Sequence, residues 1–344
     1  MIDVIIIGGG IAGLETACTL HAQGIESLIL EKEKEIGGKL TQWDSLFPSN
    51  RNAKELVETY KDEIQKHNIT VYLNTKVIAI KKQNDGTFEI FTSREIVFKA
   101  KTIVIASGYS IFNAERKEEY GYTIYPNVIT SADLEHMFAT KKELTAPSGR
   151  KLERVAFIHC VGSRDEKVGN HYCSRLCCIT GVKQAIKIRQ MLPETHVFNF
   201  YMDLRMYGLG FEEKYREAQE KHGVQFIRGR VSEIAQTNEG RLQLKAEDTL
   251  AARPVRMQAD MVVLLVGMEA PECNSILGKS CNIQYNAAQF IVPQDIHYSS
   301  GVTSTKGAFV SGTSIAPLSV FDTINHARST ALAVSNFLMP VQNE

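Results

Sequence analysis

Two groups of residues in this chain have the types and spacing to do chemistry. The first is Gly8-Gly9-Gly10-Ile11-Ala12-Gly13, a G-x-G-x-x-G run directly after the apolar residues 4–7. In such a run Gly8 permits a tight turn, Gly10 lets the backbone approach a pyrophosphate, and Gly13 allows close helix–strand packing. The amides of Ile11 and Ala12 would open a helix whose N-terminus attracts phosphate. Glu31 ends the next short strand, beside Lys32, where a carboxylate can accept ribose hydroxyls. The second group is cysteine. Four of the seven, Cys160, Cys173, Cys177 and Cys178, fall between positions 160 and 178, where an even scatter would put fewer than one.

The cysteine spacing, Cys160-x12-Cys173-x3-Cys177-Cys178, admits several chemistries. Four thiolates suit a [4Fe–4S] cluster, although this is not a standard ferredoxin run. A zinc site usually shows paired C-x-x-C hooks, which are absent. A C-x-x-C redox dithiol is absent too, and a vicinal Cys177–Cys178 disulfide would be strained. Four inert buried thiols is the plainest alternative, and a cluster is the best of these readings. The reading places Cys160 at a strand end and the other three at a helix start. Cys173 and Cys177 share a face if the helix extends that far, with Cys178 turned by about 100°. A helix N-terminus and the nearby Arg175 are both expected to favour thiolate. Cys18 reads as core, Cys273 and Cys281 lack partners at ligand spacing, and His159 and His171 read as structural.

The elements that must position these groups are those of an α/β protein. Apolar runs at 4–7, 102–106, 155–159 and 261–266 suit buried parallel strands. Helices are expected at 11–23, 174–191 and 321–337, and one capped by Ser131. Further strands are expected at 27–30, 195–201, 224–227 and 308–310. Residues 71–73, 77–81, 88–91 and 96–99 read as short antiparallel strands. The pattern is one α/β domain interrupted by another: an FAD-type domain over 1–112 and 271–344, a transition at 113–152, and an inserted domain over 153–270.

FAD rather than NAD is expected at the glycine run. Gly37-Gly38-Lys39 offers a second backbone approach to the phosphates. Ser107-Gly108 closes the 102–106 strand, and Gly307–Thr313 places a strand and a Gly-rich turn, including Gly312, before the last helix. Two dinucleotide-binding (Rossmann-like) domains in this arrangement resemble flavoproteins of the thioredoxin-reductase and glutathione-reductase type over nearly the whole chain. Such proteins carry a second glycine turn for NAD(P)H. Here the corresponding strand runs from Arg154 into Cys160-Val161-Gly162-Ser163, with one glycine.

Composition narrows the setting. The chain has 344 residues, 44% of them hydrophobic, and its 39 basic residues equal its 39 acidic ones. Neutral balance gives no electrostatic bias toward nucleic acid or an anionic membrane. No apolar run is long enough to suggest membrane insertion, and no N-terminal signal pattern is evident, so the expected location is cytoplasmic. Odd, unevenly spaced cysteines argue against a secreted disulfide framework.

Cys160-Val161-Gly162-Ser163-Arg164-Asp165-Glu166 and Tyr172-Cys173-Ser174-Arg175-Leu176-Cys177-Cys178 resemble the signature of the A-type subunit of heterodisulfide reductase. Supporting matches are Gly37-Gly38-Lys39 leading to Phe47-Pro48, Tyr201-Met202-Asp203-Leu204-Arg205, and Phe226-Ile227-Arg228-Gly229-Arg230. The resemblance implies that Cys160, Cys173, Cys177 and Cys178 carry an unusually ligated [4Fe–4S] cluster near the FAD. It also implies a homodimer working with iron–sulfur partner subunits, and a place for Lys183 near the flavin, where a cation would stabilise the anionic reduced ring. The bland reading of Lys183 is a solvated helix lysine, like Lys187. The chain lacks the ferredoxin-type C-x-x-C-x-x-C-x-x-x-C-P runs of the methanogen protein, and Ser49–Lys54 replaces a cysteine-containing stretch. It therefore resembles the short form in heterodisulfide-reductase-like complexes of sulfur-oxidising prokaryotes, which implies electron transfer during cytoplasmic oxidation of sulfane sulfur. Alternatives are the related flavoprotein subunit of a quinone-interacting membrane-bound complex, a stand-alone NAD(P)H-dependent disulfide reductase, or a redox-silent scaffold.

Overall fold

A computed structural model describes residues 1–140 and 143–339. The chain divides into two compact units, one of residues 1–41, 52–110 and 269 onward, the other of residues 42–51 and 111–268.

The first unit opens with β1 (Ile2–Ile7), α1 (Ile11–Ala22) and β2 (Ser27–Leu30), then α2 (Ala53–Lys66) and β3 (Thr70–Tyr72). β4 (Val77–Lys82), β5 (Phe88–Thr92) and β6 (Val97–Ile105) follow, and the two-residue strand β7 (Ser110–Ile111) marks the crossing into the second unit. That unit contains β8 (Val128–Thr130), α3 (Ser131–Thr140), β9 (Arg154–Val161), α4 (Cys177–Met191), β10 (His196–Tyr201), α5 (Phe211–Glu220) and β11 (Gln225–Arg228). Its sequence continues through β12 (Val231–Gln236), β13 (Leu242–Asp248), β14 (Arg253–Ala259) and β15 (Met261–Val266). The chain returns at β16 (Met268–Glu269) to α6 (Cys273–Cys281), β17 (Pro293–Asp295), β18 (Ser299–Thr303), β19 (Ala308–Val310) and α7 (Val320–Leu338).

In the first unit β19, β6, β1, β2 and β3 lie side by side and parallel, with Val4 opposite Ser27 and Thr102. In the second, β8, β15, β9, β10 and β11 form a parallel sheet in which β9 holds the central place that β1 holds in the first. Each unit also carries an antiparallel excursion, β4–β5–β6 in one and β12–β13–β14 in the other. Both follow the doubly wound plan, with an apolar strand buried on two faces. Along β9, Val155 and Phe157 join a core with Leu134, Ile179, Val182 and Ala218, whereas Ala156 and Ile158 join another with Leu242 and Leu244.

Several expectations change. β3 pairs in parallel with β2, because it follows a crossover helix and not a hairpin. The runs at 96–99 and 102–106 belong to one strand, β6. Residues 113–152, expected to be a transition, supply β8 and α3 of the second unit. The cap of α3 is Thr130 and not Ser131: Thr130 Oγ1 accepts from Asp133 N at 3.1 Å while Asp133 Oδ2 accepts from Thr130 N at 2.8 Å. α2 is an addition to the expected elements. It starts on Asn52, which accepts from Lys54 N at 2.8 Å, and buries Leu56, Val57, Tyr60 and Ile64 along one face. α4 starts at Cys177, so Cys173 lies in the preceding loop and shares no helical face with it.

Candidate functional site

The turn between β1 and α1 keeps its glycines for different reasons. Gly8 has φ +114°, in the region that favours glycine. A Cβ on Gly13 would lie 1.9 Å from the Gly8 carbonyl oxygen, so this glycine serves packing. A Cβ on Gly10 would meet nothing within 4 Å: the space is open. Gly10 is also the N-cap of α1, which has no side-chain cap and no acidic residue in its first turn. The first amides of α1, from Ile11 onward, are thus left to an anionic ligand.

Gly37, Gly38 and Gly312 lie against this turn. Gly37 N donates to Gly9 O at 2.8 Å, and a Cβ on Gly38 would sit 3.1 Å from Gly10 Cα. A Cβ on Gly312 would sit 2.5 Å from that of Ala12, so the C-terminal return lies against the start of α1. Ser107 Oγ donates to Asn274 Oδ1 at 2.7 Å, and Gly108 N donates to Ser314 Oγ at 3.2 Å. Thr313 is buried beside them, its Oγ1 4.0 Å from where a Gly108 Cβ would stand. Lys39 places its ammonium 5.2 Å from the Tyr109 ring centroid, and burial, then the charge of Lys32, lowers its pKa. Lys32 itself is exposed and 3.5 Å from Glu33.

Glu31 also has backbone partners of its own. Its Oε2 accepts from Gly9 N at 2.5 Å and its Oε1 from Glu33 N at 2.8 Å. The carboxylate braces the glycine turn from below, and lone pairs remain on both oxygens for a ribose. Sequence reasoning missed Asn274, Ser314 and His326, whose Nδ1 accepts from Gly312 N at 3.0 Å. Asn274 is fully buried and its Nδ2 has no partner, a donor held without an acceptor. Open space at Gly10, uncapped helix amides and this donor fit a phosphate-bearing dinucleotide such as FAD.

In the second unit the same strand-to-helix position holds the cysteine loop. Cys160 sits near the end of β9 with φ +60°, a conformation rare outside glycine. The loop is braced throughout: Asn170 Nδ2 donates to Gly162 O at 3.0 Å, Ser163 Oγ and Ser174 Oγ are 2.5 Å apart, and Ser174 Oγ accepts from Met268 N at 2.8 Å. Lys117, buried, donates to Asp165 Oδ2 at 2.7 Å and contacts Glu119 at 2.8 Å.

Cys160, Cys177 and Cys178 are buried, Cys173 is half-buried, and all are free thiols. Arg175 N donates to Cys173 Sγ at 3.3 Å. The expected lowering of the thiol pKa values does not occur at the buried three. Burial, then the negative charge of Cys178, pushes Cys160 up to about 11, and burial, then the charges of the neighbouring cysteines, pushes Cys177 well above the ordinary thiol value. Cys178 is raised as well, by burial first. Desolvation outweighs the helix N-terminus, and Arg175 turns its guanidinium to Tyr207 Oη at 2.8 Å. Each of the buried three is raised in part by the charge of neighbouring cysteines, Cys173 among them. Among the described residues, no three His, Cys, Asp or Glu side chains are arranged to hold a metal ion.

Lys183 lies on α4 and is held by Glu135 Oε1 and Ser45 O, both at 2.7 Å. Lys187 is likewise paired, with Asp44, and neither is a solvated lysine. His159 is buried and neutral, pushed down to about 4 by burial, with Nε2 2.9 Å from Asn199 Oδ1. His171 is exposed.

Residues 2–165 match the model of the pyridine nucleotide-disulphide oxidoreductase family. The A-type iron–sulfur subunit of CoB–CoM heterodisulfide reductase from Methanocaldococcus jannaschii is 32% identical, over 96% of this chain and 63% of that protein. The A-type subunit of H2:CoB–CoM heterodisulfide,ferredoxin reductase from Methanothermobacter marburgensis is 29% identical, over 95% of this chain and 62% of that one. The chain thus spans a little under two thirds of these relatives. Among solved structures, thioredoxin reductases of T. acidophilum and of Lactococcus lactis superpose with TM-scores of 0.68 and 0.69 at 18% identity, covering 98% of this chain and 99% of each. The chain is thus similar over nearly its whole length to part of the A-type subunits of heterodisulfide reductase, and residues 2–165 to the pyridine nucleotide-disulphide oxidoreductase family.

Proposed function

We propose that this chain is the FAD- and [4Fe–4S]-containing electron-transfer subunit of a heterodisulfide-reductase-like complex. The observation that carries the reading is a substitution of chemistry at one position of the fold. Where the first unit presents glycines at the β1–α1 turn, the second presents four cysteines from the end of β9 to the start of α4, three of them buried. Four soft donors with three of them buried suit an iron–sulfur cluster, which spreads its thiolates wider than a single ion does. When bound, FAD would exchange electrons in pairs and the cluster would pass them singly to the clusters of partner subunits.

The residues of the chain have separate tasks in this reading. Gly10 leaves room for the dinucleotide, Gly8, Gly13, Gly38 and Gly312 let the surrounding backbone pack closely around that space, and the start of α1 faces its phosphates. Cys160, Cys173, Cys177 and Cys178 hold the cluster, and the Ser163–Ser174 contact holds their loop in shape. Lys183, neutralised by Glu135, would contribute to the flavin's surroundings as half of an ion pair. The family resemblance supports a homodimer in the cytoplasm, acting in oxidation of sulfane sulfur. Among the described residues no helix is long and apolar enough to cross a membrane, so a quinone-interacting membrane complex would need that function from a separate protein. A stand-alone NAD(P)H-dependent disulfide reductase is disfavoured, since the β9 loop has cysteines in place of a glycine run.

The test is anaerobic purification followed by flavin, iron and sulfide analysis. One FAD and about four irons per chain support the reading. FAD without iron, even after reconstitution, sends the chain back to a plain flavin reductase or a scaffold.

A further inference from the structure

We propose that Lys39 is the cation that stabilises the reduced flavin, its ammonium held over the Tyr109 ring on the flavin side of the phosphate-binding turn. The inference rests on the FAD reading above and is independent of the cysteine loop.

The strand order of the first unit gives the direction in which the cofactor runs. β2 and β3 lie on one side of β1, and β6 and β19 on the other, so a crevice opens at the carboxyl ends of β1 and β6. The turns after these two strands touch, since a Cβ on Gly8 would lie 2.3 Å from Ala106 O. Glu31, with lone pairs left for a ribose, follows β2. A dinucleotide with a ribose there and its phosphates at the start of α1 carries its flavin half toward Ser107, Gly108 and Tyr109, which follow β6.

Lys39 stands on that half. Gly38 before it packs against Gly10, and the Lys39 ammonium lies 5.2 Å from the Tyr109 ring centroid. Lys39 is half-buried and makes no ion pair among the described residues. Glu33, the carboxylate that acts on it, is 3.5 Å from Lys32. Lys183, by contrast, is neutralised by Glu135 at 2.7 Å. A half-buried ammonium without a carboxylate gains most from an anion placed beside it. Reduction of a flavin by two electrons with uptake of one proton supplies that anion, because the ring gains one negative charge. The cation then favours the reduced form and raises the potential.

The test is FAD affinity by fluorescence titration and flavin potential by anaerobic dithionite titration against a reference dye, both on the full chain. Lys39→Met should lower the reduced-to-oxidised ratio at fixed potential about tenfold, or about 30 mV for two electrons. Lys39→Arg, which keeps the charge, should keep most of the wild-type value. Tyr109→Phe should match wild type, and Tyr109→Leu, which removes the ring under the ammonium, should lie between wild type and Lys39→Met. A wild-type chain that binds no FAD defeats the FAD reading itself. An FAD-loaded Lys39→Met whose potential is unmoved or raised overturns the proposal alone, and so does Lys39→Arg shifting as far as Lys39→Met. A loss of FAD affinity at constant potential puts the ammonium on the phosphates and overturns it too. If Lys39→Met holds no FAD, Tyr109→Leu decides: a lowered potential supports the proposal, and an unmoved or raised one overturns it.

Discussion

The β1–α1 turn and the β9–α4 loop occupy the same place in two parallel sheets of like strand order, and they solve opposite problems. The first is short, with the helix starting at Ile11, four residues after the strand ends at Ile7. Its glycines remove side chains so that a ligand can approach backbone amides. The second runs from Val161 to Cys177 and has a glycine at Gly162, where an added Cβ would lie 2.1 Å from the Phe112 ring. That glycine serves packing, and the space a phosphate would need is given to side chains. One scaffold position can therefore carry an open glycine turn in one unit and a long, hydrogen-bonded cysteine loop in the other.

The sharpest way to break this comparison is to add one methyl group at two glycines of the short turn. Gly13→Ala should cost the first unit more than about 4 kcal/mol, since its Cβ meets a backbone oxygen that cannot move away. Gly10→Ala should leave the melting temperature of the FAD-free chain unchanged. It should instead cost at least about 1.4 kcal/mol of FAD affinity, a tenfold loss. Thermal melts with flavin titration separate the two, and equal behaviour would erase the distinction between packing and ligand glycines.

The long loop should be broken by charge. Lys117→Met leaves Asp165 buried with Arg230 at 3.4 Å as a weaker partner, and should cost about 3 kcal/mol in chemical unfolding. The native pair also has a pH signature. Burial pushes the Asp165 carboxyl up, but the hydrogen bond and charge of Lys117, with Arg230, outweigh it and hold it below the ordinary carboxylate value. A depressed folded value means that the stabilisation is complete above the unfolded carboxylate pKa. It is lost as pH falls through the folded value. Unfolding curves of wild type should lose stability over that acid window, and those of Lys117→Met should lose less.

Cluster assembly should also weaken toward acid, although here the pKa values are shifted the opposite way. With Cys160 pushed up to about 11 and Cys177 and Cys178 raised as well, ligation must expel protons. Iron uptake by the iron-free chain should weaken as pH falls from about 8.5 to about 6.5, as read by iron analysis after reconstitution; uptake independent of pH would contradict ligation by these thiols. The smallest expected effect concerns the helix beside them: Thr130→Ala should cost about 1 kcal/mol and Ser131→Ala much less. A reversal would restore the cap that sequence alone suggests.

The two regions are also unequally legible. The glycine turn can be read residue by residue because its function lies in backbone conformation and absent side chains, both encoded locally. The apolar runs at 4–7, 155–159 and 261–266 likewise announce buried parallel strands. α2 is hidden because its charged face dominates the composition of residues 53–66, although Asn52 and the spacing of Leu56, Tyr60 and Ile64 are available signals. Asn274, Ser314 and His326 join the flavin turn only through a late return of the chain; Ser107 and Asn274, for example, are 167 residues apart, which no local pattern records. Thiol ionisation is misjudged from sequence for the same reason: Arg175 and the helix start are visible there, but the burial that outweighs them is a property of the packed unit.

The proposed electron transfer depends on the cysteine loop holding an iron–sulfur cluster. The most direct measurement is EPR of the anaerobically reduced chain beside single Cys→Ala variants at positions 160, 173, 177 and 178. A cluster signal in wild type that is lost or altered in each variant, with FAD still bound, is the predicted result. A signal unchanged in all four, or a flavin-loaded chain with no iron at all, would contradict it.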